Sequence, residues 1–139
     1  MKNLIFLEPL AGWQDISLLI VRVLTGAFLV WGVWDNIADP ARMTEFVTFM
    51  RHFKFPAPEF MAPLSVWFQF GCGVLLVAGL FTRWAGLLMA FNFIVGFLMV
   101  HLADDFRAQF PALILIAVSL HFAAAGGGRF SVDRLLGKS

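Results

Sequence analysis

The sequence predicts an all-α protein, a four-helix transmembrane bundle with a short amphipathic interfacial helix between the first and second spans. Composition is the first reason: 60% of the 139 residues are hydrophobic and 14% are charged, whereas soluble domains are about half apolar and about a quarter charged. The second reason is four apolar runs, each close to the roughly 20 residues that cross a bilayer as a helix. We place the spans at about residues 16–34, 61–81, 84–102 and 108–125, all within one domain, 1–139.

The second and third spans form a helical hairpin. Leu64 to Phe81 carries no charged residue, and the one strongly polar side chain between Trp84 and Val100 is Asn92. At about 1.5 Å per residue, each run covers roughly 25 to 27 Å, close to the hydrocarbon thickness. We predict the hinge at the two residues between the runs, 82 and 83.

The outer spans have recognisable ends. No small-residue cleavage site follows the first span, so we expect it to be retained. The fourth span ends before Gly126, Gly127 and Gly128, which a helix interior would not hold.

Four spans place both termini on one side. Six basic residues lie there against four opposite, which favours cytoplasmic termini. The six are Lys2, Arg22, Arg83, Arg129, Arg134 and Lys138, and the four are Arg42, Arg51, Lys54 and Arg107.

The linker between the first two spans contains the predicted amphipathic helix. Asp39 and Pro40 suit the N-cap and the first helical position. Apolar residues then recur at helical spacing, among them Met43, Phe46 and Met50. This helix either lies flat on the bilayer or closes over the mouth of the bundle, and its sequence favours neither arrangement.

Polar residues inside the spans are the candidate site residues, because such groups are costly in hydrocarbon. Arg22 lies roughly 9 Å into the first span. It either snorkels to the headgroups or faces the bundle interior. Gln69 shares a helix face with Ser65 and Cys72. The amides of Gln69 and Asn92 either bond a neighbouring helix or contact the polar group of a bound molecule.

Histidines provide the remaining candidates. His101 ends the third span and is either an ordinary interfacial residue or a proton-handling or quinone-contacting group. It follows Asn92 by nine positions. At about 100° per residue the two are predicted on opposite faces, and so at different sites. His121 lies deeper than His101 by roughly 15 Å, so we do not expect the two histidines to ligate one haem iron. We see no metal-ligand cluster, and the net charge of +1 gives no sign of a nucleic-acid partner.

Several short motifs follow one another along the chain. They are Arg22 with Gly26 and Gly32, FPAP at 55–58, GLFTR at 79–83, His101, and GRFSVDRLL at 128–136. In the order and spacing of these motifs, from about Leu18 to Leu136, the chain resembles the DoxX family of small four-helix bacterial membrane proteins. Two positions depart from the family pattern: Asp35 stands where a lysine is usual, and Gln69 stands where a glutamate is usual. Both changes remove the expected charge.

The resemblance implies a multi-pass protein of the bacterial inner membrane in a quinone-linked redox setting. We therefore predict a membrane subunit of a quinone-linked oxidoreductase, not catalytic alone. It would offer an apolar quinone or lipid pocket to a redox partner or a larger membrane complex, with no intrinsic cofactor. The contact candidates are Arg22, Gln69, Asn92 and His101, with Asp35 and His121 as secondary candidates. The alternative is a non-redox membrane scaffold or lipophilic-ligand-binding protein. Self-association stays open.

Overall fold

A computed structural model describes residues 1–137. Lys138, one of the six basic residues counted on the side of the termini, therefore lies outside the described residues. Those residues form helices and turns, with no β-strand among them. The elements are α1 (Lys2–Ile5), a 3-10 helix (Glu8–Trp13), α2 (Gln14–Ala38), α3 (Pro40–His52), α4 (Pro58–Ala78), α5 (Thr82–Gly96), a π-helical turn (Phe97–His101), α6 (Phe106–Ala125) and α7 (Val132–Leu135).

Four of these helices are long and apolar enough to cross a membrane, which confirms the predicted fold class. They are α2 together with the preceding 3-10 helix, α4, α5 together with the π-helical turn, and α6. The predicted amphipathic helix is α3. Its N-cap is Asp39, whose Oδ1 accepts a hydrogen bond from the backbone N–H of Ala41 at 3.0 Å, and Pro40 is its first residue.

Two helix pairs carry the closest packing: α2 against α4, and α5 against α6. Small residues allow both approaches. A Cβ atom on Gly26 of α2 would lie 2.6 Å from the carbonyl oxygen of Gly73 on α4. A Cβ atom on Gly86 of α5 would lie 2.5 Å from the carbonyl oxygen of Ser119 on α6. The α4–α5 hairpin packs less extensively, and along the described residues α2 and α6 do not pack closely together.

The turn between α4 and α5 differs from the prediction. It spans residues 79–81, so the hinge predicted at Thr82 and Arg83 is three residues late. Gly79 adopts a left-handed conformation, with φ of 75°. The N–H groups of Gly79 and Leu80 both donate to the carbonyl oxygen of Leu75, at 2.8 and 2.9 Å. This glycine C-cap ends the helix before its apolar run ends. The predicted hinge was late because hydropathy does not report a residue in the left-handed conformation.

Residues 126–136, which we call the C-terminal clasp, cross the ends of the spans on the side of the termini. The Asp133 carboxylate accepts hydrogen bonds from the N–H groups of Phe81 and Thr82, at 2.8 and 2.9 Å, and so caps the start of α5. The N–H of Asp133 donates to the carbonyl oxygen of Gly79 at 2.9 Å. Asp15 Oδ1, at the start of α2, accepts from the Arg129 N–H at 3.2 Å. The clasp therefore ties α2, the α4–α5 turn and α6 together.

Candidate functional site

The α3 helix closes one end of the bundle. It packs against both α2 and α4. The Asn36 amide of α2 donates to the carbonyl oxygen of Arg42 at 3.1 Å, which fixes the start of α3. Met50 is buried, with 4% of its surface exposed. Arg51, near the end of α3, pairs with Glu59 at the start of α4. Of the two arrangements that the sequence allowed, closure over the bundle is the one that the structure has.

A cavity of about 360 Å³ lies beneath α3, between α4 and α5. We call it the α3 cavity. Its volume falls within the range of about 300 to 1,000 Å³ that is usual for small-molecule sites, and such sites combine apolar walls with a few polar groups. Most of its lining is apolar. The lining residues are Phe46, Phe49, Met50, Phe55, Pro56, Met61, Ser65, Gln69, Asn92, Phe93, Val95, Gly96, Phe97, Met99, Val100, His101 and Ala112.

Three of the predicted contact residues meet in this cavity: Gln69 from α4, Asn92 from α5, and His101 from the π-helical turn. Gln69 Nε2 donates to the carbonyl oxygen of Leu29 on α2 at 3.1 Å, which is the helix-bonding role that the sequence allowed. Its side-chain oxygen has no hydrogen-bond partner within residues 1–137. The Asn92 amide likewise has none in that range. One unpartnered amide and one half-used amide thus line an apolar cavity.

The prediction that Asn92 and His101 lie on opposite faces is wrong. Both line the same cavity, because residues Phe97–His101 form a π-helical turn and not the α-helix that the angular estimate assumed. A π turn closes through i→i+5 hydrogen bonds, so each residue advances by less than the 100° of an α-helix. The turn therefore brings His101 back toward the stripe that carries Asn92. Such turns occur frequently at functional sites.

His101 is held by polar contacts at the rim of the cavity. Its Nδ1 lies 2.8 Å from Oδ2 of Asp104. Its backbone carbonyl oxygen accepts a hydrogen bond from Gln109 Nε2 of α6 at 3.0 Å. The pairing of Asp104 with His101 was not predicted from the sequence. The signal was its spacing of three residues from His101 along a helical backbone.

Arg22 does not reach the α3 cavity. It is buried, with 1% of its surface exposed, which excludes the snorkelling arrangement. Its Nη1 donates to the carbonyl oxygen of Gly127 at 2.5 Å, and its Nη2 donates to that of Phe130 at 2.7 Å. Gly79 leaves room for the guanidinium, since a Cβ atom there would lie 2.7 Å from Nη1. Arg22 thus faces inward, as one alternative had it, and binds the C-terminal clasp.

The secondary candidates also lie elsewhere. Asp35 is exposed near the end of α2, where its side chain accepts the N–H of Asn36 at 2.9 Å. His121 is exposed on α6 and lines a different cavity, at the ends of α2 and α6. Cys72 is buried in the bundle core beside Leu29. Within residues 1–137, no group of three or more His, Cys, Asp or Glu side chains could hold a metal ion.

Comparison with known proteins identifies the family. The DoxX family model matches residues 17–102, more than half of the chain. One relative is the inner membrane protein YqjF of Escherichia coli (strain K12), which is 28% identical over 132 residues, covering 90% of this chain and 95% of the relative. No solved structure matches the chain. The chain therefore belongs to the DoxX family of membrane proteins.

Proposed function

We propose that this DoxX-family chain binds a quinone in the α3 cavity and serves as the membrane subunit of a quinone-linked oxidoreductase. The observation that supports this most is the meeting of Gln69, Asn92 and His101 in one apolar cavity. These residues come from two spans and a π-helical turn. Polar groups that converge inside an otherwise apolar cavity are the usual mark of a ligand site.

The polar groups of the cavity suit a quinone head. A quinone offers two carbonyl oxygens on a flat apolar ring, so it needs hydrogen-bond donors set between apolar walls. The Asn92 amide can donate, and the His101 ring can donate from the nitrogen that Asp104 does not occupy. The phenyl rings of Phe46, Phe49 and Phe93 line the cavity and can pack against the quinone ring.

The pairing of His101 with Asp104 gives the cavity a group that can carry a proton. Reduction of a quinone to a quinol takes two electrons and two protons. An imidazole has one nitrogen that can donate a proton and one that can accept a proton, and a neighbouring carboxylate fixes its orientation. We propose that His101 exchanges one proton with one carbonyl oxygen of the ligand and that water exchanges the second proton with the other oxygen, while a separate redox protein exchanges the two electrons. The chain then contributes binding and proton handling, and the partner contributes the redox centre.

A second function stays open: a non-redox membrane scaffold or carrier that holds a lipophilic molecule. The bond from Gln69 to Leu29 favours it, because that amide donor already serves helix packing. The phenyl rings and methionines of the lining would accept an acyl chain as well as a quinone ring. The two functions differ in whether binding depends on Asn92 and His101.

We propose the inner membrane as the location and the cytoplasm as the side of both termini, which places α3 and its cavity toward the periplasm. The basic residues in the sequence and the inner-membrane relative support this orientation. Labelling of intact cells with an impermeant maleimide tests it in a Cys72→Ser background. Thr48→Cys on exposed α3 should react without permeabilisation, whereas Arg134→Cys in the C-terminal clasp should react only after it. The reverse labelling pattern would show that the termini lie on the periplasmic side and would contradict the proposed orientation.

Quinone binding is tested by equilibrium dialysis of the delipidated protein in detergent against a short-chain benzoquinone. Asn92→Leu and His101→Phe should each weaken binding about tenfold, as expected for the loss of one hydrogen bond in an apolar site. His121→Phe and Gln14→Leu are matched controls, because both residues line only the cavity at the ends of α2 and α6. If the cavity variants bind like the controls, the scaffold or carrier function replaces the proposal.

A further inference from the structure

A second cavity, of about 400 Å³, lies where α2 begins and α6 ends. We call it the α2–α6 cavity. It shares no lining residue with the α3 cavity, and it lies beside the C-terminal clasp, at the other end of the bundle. Its lining residues are Gln14, Asp15, Ser17, Leu18, Val21, His121, Ala125 and Gly128.

The packing of the bundle explains why this space exists. Gly26 allows α2 to pack closely against α4, and Gly86 allows α5 to pack closely against α6. Because α2 packs on α4 and α6 packs on α5, a space is left between α2 and α6. The end of α6 carries only small residues, Ala123 to Ala125, which cannot fill the gap. The clasp crosses the end of the gap, since Asp15 accepts the N–H of Arg129 at 3.2 Å.

The walls of the α2–α6 cavity divide into a polar rim and an apolar floor. Gln14, Asp15 and Ser17 bring an amide, a carboxylate and a hydroxyl from the first turn of α2. The ring of His121 makes no hydrogen bond within residues 1–137 and is exposed. Leu18 and Val21 follow one and two turns farther into the span. The polar groups of α2 thus lie at the start of the span, and the apolar groups lie farther into it.

The charge of the rim selects among headgroups. Asp15 is the one carboxylate or cationic Lys or Arg in the lining. It is half-buried, and only its Oδ1 accepts the clasp N–H, so Oδ2 has no partner within residues 1–137. A free carboxylate oxygen at the edge of hydrocarbon attracts a cation that can donate hydrogen bonds. It repels an anionic headgroup.

From this arrangement we infer that the α2–α6 cavity binds an amphiphile with a primary-amine headgroup, namely phosphatidylethanolamine. The ammonium group donates to Asp15, with the Ser17 hydroxyl and the His121 ring as further acceptors. One acyl chain lies along Leu18 and Val21. The inference is independent of the quinone proposal, because neither the residues nor the end of the bundle is shared.

Native mass spectrometry of the delipidated protein tests this site with an equimolar mixture of dioleoyl phosphatidylethanolamine and dioleoyl phosphatidylglycerol. The wild-type chain should retain the ethanolamine lipid about threefold to fivefold over the glycerol lipid, as one partly exposed charge pair provides. Asp15→Asn should bring the ratio to about one. Asparagine keeps an oxygen acceptor for the Arg129 N–H, so the clasp contact survives. Glu8→Gln, which removes a carboxylate outside the cavity, should leave the ratio unchanged.

Two further measurements keep the inference testable if Asp15→Asn folds poorly. Ser17→Trp should fill the cavity and lower retention of the ethanolamine lipid without a change in protein charge. Phosphatidylcholine should be retained by the wild-type chain more weakly than the ethanolamine lipid, because its trimethylammonium group donates no hydrogen bonds. An ethanolamine preference that is absent from the wild-type chain, or unaffected by both variants, would overturn the inference.

Discussion

Arg22 of α2 donates a hydrogen bond from Nη1 to the carbonyl oxygen of Gly127 at 2.5 Å, across 105 positions of the chain. Its Nη2 donates to the carbonyl oxygen of Phe130 at 2.7 Å. A guanidinium in a membrane span is costly unless its donors are occupied. Two guanidinium donors of Arg22 therefore form hydrogen bonds with carbonyl groups of the C-terminal clasp, and these bonds hold the clasp against α2.

We expect Arg22→Leu to lower the free energy of unfolding by about 3 kcal/mol, because two charge-assisted hydrogen bonds are lost and two carbonyl groups, one buried and one partly buried, lose their donor. Arg22→Lys should lie between, since one ammonium cannot reproduce the guanidinium fork. Unfolding in mixed micelles, followed by circular dichroism, measures the change. Arg134→Leu, an exposed arginine of the clasp, is the matched control and should stay within about 0.5 kcal/mol. Equal effects of Arg22→Leu and Arg134→Leu would contradict the role of Arg22.

The contact between α2 and α4 should not tolerate a methyl group at Gly26. Gly26→Ala places a Cβ atom 2.6 Å from the Gly73 carbonyl oxygen, so the helices must separate, at a cost of about 1 to 3 kcal/mol. Gly71→Ala is the matched control, because a Cβ atom there has no neighbour within 4 Å. The two variants differ only in position, and thermal unfolding compares them directly. If Gly71→Ala destabilised the protein as much as Gly26→Ala, close packing would not be the cause.

The helical spans and their inward faces could be predicted from the sequence, because length, hydropathy and spacing report them directly. Ser65, Gln69 and Cys72 share a face, and in the bundle Ser65 and Gln69 line the α3 cavity while Cys72 lies in the core. The Asp39 cap and the Gly126 stop at the end of α6 were also readable, since each depends on one residue type at one position. The hinge at Gly79 was missed, because a hydrophobic run continues past it.

The site could be predicted only in part. Gln69, Asn92 and His101 could be named as candidates from their residue types, but their meeting in one cavity depends on a π-helical turn that hydrophobic periodicity does not reveal. The position of α3 depends on tertiary contacts of Asn36 and Met50, which its own amphipathic pattern does not contain. The sequence did not decide whether Arg22 snorkels or faces the bundle interior, because its hydrogen-bond partners lie more than a hundred residues away along the chain.

The π-helical turn provides a prediction that separates geometry from chemistry. Insertion of one alanine after Leu98, which is exposed, advances His101 by roughly a further quarter turn around the helix. His101 should then rotate away from the α3 cavity, and quinone affinity should fall about tenfold, as in His101→Phe. Deletion of Leu98 is the matched control, because eight α-helical steps of about 100° from Asn92 keep His101 on the side where the π turn places it, so affinity should be retained. Unchanged affinity in the folded insertion variant would show that the turn does not place His101.

Quinone binding in the α3 cavity is tested most directly by identifying the molecules that stay bound to the protein when it is purified from its own membranes. Native mass spectrometry after mild detergent extraction reports bound small molecules and bound proteins together. We predict a quinone-sized adduct on the wild-type chain and on His121→Phe, its loss from Asn92→Leu and His101→Phe, and a co-purifying redox protein. A chain that carries only phospholipid, with the same adducts in all four proteins, would contradict the claim and leave the scaffold or carrier function.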